Sequence, residues 1–210
     1  MNNTKSSDPV YKVLSQDKVM RQLLDTLSLD DFSTQPNLYQ ELTAAIIYQQ
    51  ISTKAADAVY LRFKDAFGWD YTPTDILPLT ETELRPVGLS RQKCQYILNI
   101  AEYFSADPSR EISIQKLDDP DVVKALVDIK GVGVWTAKMA MMFYMQRQDV
   151  FPYEDLGVRQ AMEGLYKLPT DNKVAIKKMI TIAESWIPYR STASFYLWAW
   201  KRAQSTLKKS

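Results

Sequence analysis

DIKGVGVWTAKMAMMF, residues 128–143, holds two of the chain's six glycines, Gly131 and Gly133, two positions apart. The residues on either side read as helix, so Lys130-Gly131-Val132-Gly133 is a four-residue turn between two helices. Glycine reaches φ > 0 and lets backbone approach a partner closely. The first amides of the second helix carry the positive end of its dipole, and such a turn can seat a phosphate. The plainer alternative is a tight interhelical turn with no ligand. Lys130 adds a cation and tips the reading toward phosphate. Contacts of this kind position a duplex without reading its sequence.

Working outward, the flanks repeat one pattern of helix starts. Asp8-Pro9 opens the first helix, after a polar tail that we place at residues 1–8. Pro36, Ser52, Ser90 and Pro120 open further helices, and Gly68 closes the one begun at Ser52. In the segment from Ser90, Cys94, Ile97, Leu98, Ala101 and Phe104 form a helical stripe. Ile176, Met179, Ile180 and Ala183 mark one face of a later helix. The helix after the glycines is expected to run from Val134 to about Met145. No alternating strand and no fixed repeat stand out. The fold class is all-α, with about ten helices. We expect two helical lobes within residues 9–210, a central one over about 37–135 and a second from the N-terminal and C-terminal segments.

Composition narrows the chemistry. The 210 residues include no histidine and one cysteine, Cys94. That removes an intramolecular disulfide, cysteine-ligated zinc or iron–sulfur centres, and nucleophiles activated by histidine. Acid–base chemistry must then fall to Asp, Glu, Lys, Tyr or Cys. The net charge of +1 makes any nucleic-acid contact local, and we expect Lys54, Arg91, Lys93, Lys130 and Lys138 to cluster on one face. No apolar run is long enough to span a bilayer, and MNNTKSSDP has no signal-peptide core. No membrane association is expected. The setting is a bacterial cytoplasm or a eukaryotic nucleus.

The longer stretch LVDIKGVGVWTAKMAMMFYMQRQDVFPYEDLGV, residues 126–158, resembles the signature of helix–hairpin–helix DNA glycosylases with a downstream catalytic aspartate. Within that superfamily it is most similar to the 3-methyladenine DNA glycosylase II branch. AAIIYQQISTKAA, GLSRQKCQYILNIA and WIPYRSTASFYLWAW carry further likeness, so the resemblance runs from about Asn37 to about Arg202. Lys130 departs from it, standing where the family often has proline. Some members carry an extra N-terminal β domain, and this chain resembles the compact form without it.

The resemblance implies a set of roles. Asp155 becomes the catalytic carboxylate. Breaking an N-glycosidic bond builds positive charge on the sugar, which a nearby carboxylate stabilises while it orients or deprotonates water. Asp155 also reads as an ordinary N-cap of the helix from Leu156, and the two readings are compatible. Glu154 is secondary. Trp135 occupies the position where relatives that also cut the backbone carry a Schiff-base lysine. Lys138 is off that position, so no AP lyase activity is expected. Trp135, Trp198 and, more weakly, Tyr48 are the aromatic walls for a flipped base. Gln50 is the wedge. Lys130, Gly131, Val132, Gly133 and Thr136 make the phosphate-binding hairpin. Arg190 is read as orienting Asp155 or the helix junction. No cofactor is required, although the carbonyls of Val127, Ile129 and Val132 are the family's seat for Na⁺ or K⁺. The partner is damaged double-stranded DNA, bound by a monomer.

The activity so implied is hydrolytic release of alkylated purines such as 3-methyladenine, in base excision repair. Three alternatives stay open: the same fold serving another lesion, a non-catalytic damage-binding protein that keeps the hairpin, and a helical scaffold without a nucleic-acid role.

Overall fold

The computed structural model describes residues 7–29, 35–169 and 172–207, and among these every regular element is helical. Residues 1–6 of the expected tail lie outside that set, and Asp8 is the N-cap of the first helix, its side chain accepting from the Val10 amide at 2.9 Å. The chain divides into two compact units, Ser33–Gln146 and the combination of Met1–Phe32 with Arg147–Ser210.

The first unit is built around α3 (Leu38–Tyr48), in which all residues from Leu38 to Ile47 are buried. A helix buried on all sides is the middle of its bundle. α3 packs against α4 (Thr53–Phe67), α7 (Arg91–Ala106) and α10 (Val134–Phe143). The short α5 (Pro73–Ile76), α6 (Glu81–Leu84), α8 (Arg110–Gln115) and the longer α9 (Asp119–Val127) complete it. Side-chain caps set most of the starts: Asn37, Ser52, Ser90 and Asp118 each accept an amide of the turn they begin. Two expected starts move accordingly. Asn37 rather than Pro36 caps α3, and Pro120 sits inside the first turn of α9, which begins at Asp119. α10 ends at Phe143, short of Met145, and Gln146 then turns the chain with φ 53°.

α3 also buries three polar residues, Gln40, Glu41 and Thr43. The Gln40 amide donates to the Tyr71 carbonyl at 3.0 Å, and the Thr43 hydroxyl to the Tyr39 carbonyl at 2.9 Å. Burial alone pushes the Glu41 carboxyl up to about 7. The folded protein therefore binds this proton more tightly than the unfolded chain does. Its stabilising effect is complete below the ordinary glutamate range and is lost as pH rises to about 7. Between pH 5 and pH 8 the chain should lose about 2–3 kcal/mol of stability from this residue. Glu41→Gln should abolish that part of the loss, measured as urea midpoints at the two pH values.

The second unit comprises α1 (Pro9–Leu14), α2 (Lys18–Thr26), α11 (Leu156–Tyr166), α12 (Asn172–Glu184) and α13 (Arg190–Leu207). Leu14, Met20, Val158, Met162, Met179, Trp186 and Leu197 are central to its core. On α12 the buried face is Ala175, Met179 and Ala183, while Ile180 is exposed, which shifts the face read from sequence. Asp17 ties the unit together. One of its oxygens caps α2 through the Val19 and Met20 amides, and the other accepts from the Tyr166 hydroxyl at 2.8 Å and the Trp186 indole at 3.1 Å.

Candidate functional site

The turn between α9 and α10 is tight. The Ile129 amide donates to the Leu126 carbonyl at 3.1 Å and the Val132 amide to the Ile129 carbonyl at 2.9 Å, and both side chains are buried. Gly131 has φ 108°, in the region that favours glycine. A Cβ there would lie 2.3–2.7 Å from atoms of the Tyr96 side chain on α7, which underlies the turn. The turn thus requires Gly131 twice over. Gly133 is different: its φ of −94° and ψ of 175° suit any residue, and a Cβ on it would meet nothing within 4 Å. What Gly133 provides is an N-cap position with no side chain to bond the first amides of α10, in contrast to Ser52, Ser90 and Asp118. Lys130 and Gly133 are both exposed at the turn.

Two members of the expected phosphate set are corrected. The Thr136 side chain is buried, and its hydroxyl accepts from the Gln49 amide at 2.8 Å, so it fastens α10 to the end of α3 instead of facing solvent. The Val132 amide is spent inside the turn. One member of the expected basic cluster is corrected too: Lys93 turns its ammonium onto the carbonyls of Ile47 and Gln49, 2.8 Å from each, while Arg91 stays exposed with Glu81 at 3.1 Å. The carbonyls of Val127, Ile129 and Val132 are hard, neutral oxygen donors, a set that suits an alkali cation, although the Ile129 oxygen also accepts the Val132 amide.

The α3–α4 turn carries Gln50, exposed and held at φ 59°. That conformation is uncommon for a residue with a Cβ and marks a fixed, over-determined turn. Ile51, missed in the sequence reading, stands beside it with 42% of its surface exposed. An exposed apolar side chain on such a turn is of the type that enters between base steps. Tyr48 is half-buried; its hydroxyl donates to Asp57 and its ring meets Tyr60 edge to face at 6.4 Å. Its hydroxyl is thus committed within the fold, leaving the ring as the part able to stack. Trp135 lies half-buried in the first turn of α10.

In the second unit, Asp155 is the N-cap of α11. Its Oδ1 accepts the Val158 amide at 2.9 Å and the Trp198 indole N–H at 2.8 Å. Gly157 makes room for this pair, since a Cβ there would lie 3.0 Å from both Asp155 Oδ1 and Trp198 Cδ1. Trp198 in turn packs against Phe195, ring centres 5.8 Å apart. The carboxylate is thereby fixed by one local and one distant donor. Glu154 lies beside Tyr153 and pushes its phenol up. Arg190, read as a partner for Asp155 or for the junction, gives its guanidinium to Asp149, with contacts of 2.7 and 2.9 Å to the carboxylate. It fastens the connection ahead of Asp155 and does not pair with that residue. Trp198 thus stands with Asp155 in one unit, while Trp135, Tyr48, Gln50 and the hairpin belong to the other.

Residues 43–188 match the HhH-GPD superfamily of base excision DNA repair proteins. The chain is 33% identical over 165 residues to DNA-3-methyladenine glycosylase 1 of Schizosaccharomyces pombe, covering 76% of this chain and 71% of that protein. It is 31% identical over 169 residues to a putative DNA-3-methyladenine glycosylase of Bacillus subtilis, covering 77% of this chain but only 58% of that one. The solved structure of the Schizosaccharomyces pombe 3-methyladenine DNA glycosylase in complex with abasic DNA is similar, with a TM-score of 0.80 and 27% identity over 90% of this chain and 94% of that chain.

Proposed function

Since the chain belongs to the HhH-GPD superfamily of base excision DNA repair proteins, we propose that it is a monofunctional DNA glycosylase releasing alkylated purines of the 3-methyladenine type. The observation that carries this reading is the Asp155 carboxylate, held at the start of α11 by the Val158 amide and the Trp198 indole. The names of the relatives set out above support the same substrate class.

In the proposed reaction the damaged nucleotide leaves the stack, and Gln50 with Ile51 occupies the gap. The bond between C1′ and the base nitrogen breaks, and its electron pair leaves with the purine. A purine alkylated on a ring nitrogen is cationic, so this pair neutralises it and no strong general acid is needed. That suits a chain without histidine. Positive charge develops on the sugar, where the Asp155 carboxylate stabilises it. Water oriented by Asp155 adds to C1′ and gives its proton to that carboxylate, which passes it to solvent, and an abasic site remains. Trp198, beside Asp155 in its unit, and Trp135 and Tyr48 in the other each carry a π face of the kind that attracts an electron-poor base. Lys130 and the first amides of α10 take backbone phosphate. A Na⁺ or K⁺ at the carbonyls of Val127, Ile129 and Val132 would add positive charge beside that phosphate, and base release does not run through it.

Trp135 at the position of the lyase lysine supports water as the nucleophile. The test is a duplex with an abasic site, incubated with the protein and borohydride, which reduces a Schiff base to a stable adduct. The expected result is no covalent protein–DNA product and no strand cleavage before alkali. An adduct would hand the chemistry to a lysine, and Lys138 would be the first to replace.

A further inference from the structure

One face of α7 holds both elements that the proposed function brings to DNA. Lys93, Tyr96 and Asn99 are spaced three apart, so they lie along one side of the helix. Tyr96 lies under Gly131, and the Asn99 amide donates to the Lys130 carbonyl at 2.9 Å. Lys93 reaches the other element. Its ammonium donates to the carbonyls of Ile47 and Gln49, 2.8 Å each, at the end of α3. The last carbonyls of a helix have no partner within it, and a cation there also meets the negative end of the dipole. The next residue is Gln50, at φ 59°, followed by the exposed Ile51. The Gln49 side chain closes the frame by donating to Thr136 of α10. Burial lowers the Lys93 pKa, as expected for an ammonium turned inward.

We propose that Lys93 is a positioning residue for the Gln50–Ile51 turn, holding the wedge in register with the hairpin, and is not a phosphate ligand. This rests on the reading of Gln50 and Ile51 as the segment that enters the duplex. Two of the three donor positions of the ammonium are spent on carbonyls, and the same helix face fixes the hairpin, so turn and hairpin share one rigid support.

A graded series tests it. Lys93→Met removes both bonds, and Lys93→Gln keeps a shorter donor. Lys93→Arg keeps charge and donors. In the free 210-residue chain, amide hydrogen exchange over residues 49–53 should rise about tenfold or more in Lys93→Met and less in Lys93→Gln, with residues 131–137 unchanged. The salt dependence of undamaged-duplex binding should keep the wild-type slope, whereas loss of one phosphate contact lowers it by about one. On methylated duplex, kcat should fall about tenfold with KM unchanged, and Lys93→Arg should restore both the rate and the exchange protection. Unchanged exchange at residues 49–53, or a slope lowered by about one, would overturn the proposal. If the wild type released no base, the proposed activity would fail by itself, and the exchange and salt measurements would still decide the role of Lys93.

Discussion

Asp155→Asn should slow single-turnover base release from alkylated duplex about 10²–10³-fold while leaving duplex affinity and stability near those of the parent. The geometry separates these effects. Asparagine retains an oxygen at the Oδ1 position, so it still accepts the Val158 amide and the Trp198 indole. The helix cap survives, and with it the start of α11. What disappears is the negative charge beside a sugar that becomes positive in the transition state. Stabilisation realised only there lowers kcat and leaves ground-state binding alone. Asp155→Ala is predicted to be worse behaved. It removes the cap as well, which costs about 1 kcal/mol, and it leaves the indole without this acceptor. A rate loss in Asp155→Ala accompanied by full activity in Asp155→Asn would assign the residue to structure alone.

The second large effect is on stability. Gly131→Ala should destabilise the chain by about 3 kcal/mol or more, read from the urea midpoint, because two penalties add. Alanine at φ 108° is strained whatever surrounds it, and its Cβ would overlap the Tyr96 side chain at 2.3–2.7 Å. Gly133→Ala, two residues on, should stay within about 0.5 kcal/mol of the parent, since its backbone is ordinary and the space beside it is open. The two penalties separate in part. In a Tyr96→Ala background the overlaps with Cγ and Cδ1 are gone and only the one with Cβ, at 2.7 Å, is left, so Gly131→Ala should cost less than it does in the parent but still more than the backbone strain of about 1–2 kcal/mol. Equal effects at Gly131 and Gly133 would contradict the packing of α7 under the turn.

The contrast between these glycines shows how far the sequence could be read. Local rules were legible. Asp8, Ser52, Ser90 and Asp155 cap the helices that their residue types announce, because a cap and the amide it binds lie within three residues. The turn itself was legible from glycine spacing. Which glycine the backbone needed was not, because the answer depends on Tyr96, thirty-five positions earlier in the chain. Lys93 was misread for the same reason. A lysine on an amphipathic helix reads as solvated, and its acceptors are carbonyls, which every residue has. Thr136 was assigned outward, yet Gln49 claims it, and of the two readings of Arg190 its bond to Asp149 goes with the helix junction and not with Asp155. Burial of Glu41 was hidden by its type, in a helix buried on every side. The Asp155–Trp198 hydrogen bond spans 43 positions, and spacing alone offered no route to it.

The most direct test of the account is chemical identification of the base set free. Duplex DNA methylated on its purines is incubated with the wild-type chain, and the released bases are separated and identified against a protein-free control. Strand integrity is followed before and after alkali. The account predicts 3-methyladenine well above spontaneous depurination, with the backbone intact until alkali is added. No methylated purine above the control, from a protein that still binds the duplex, would contradict it and leave a damage-binding protein in its place.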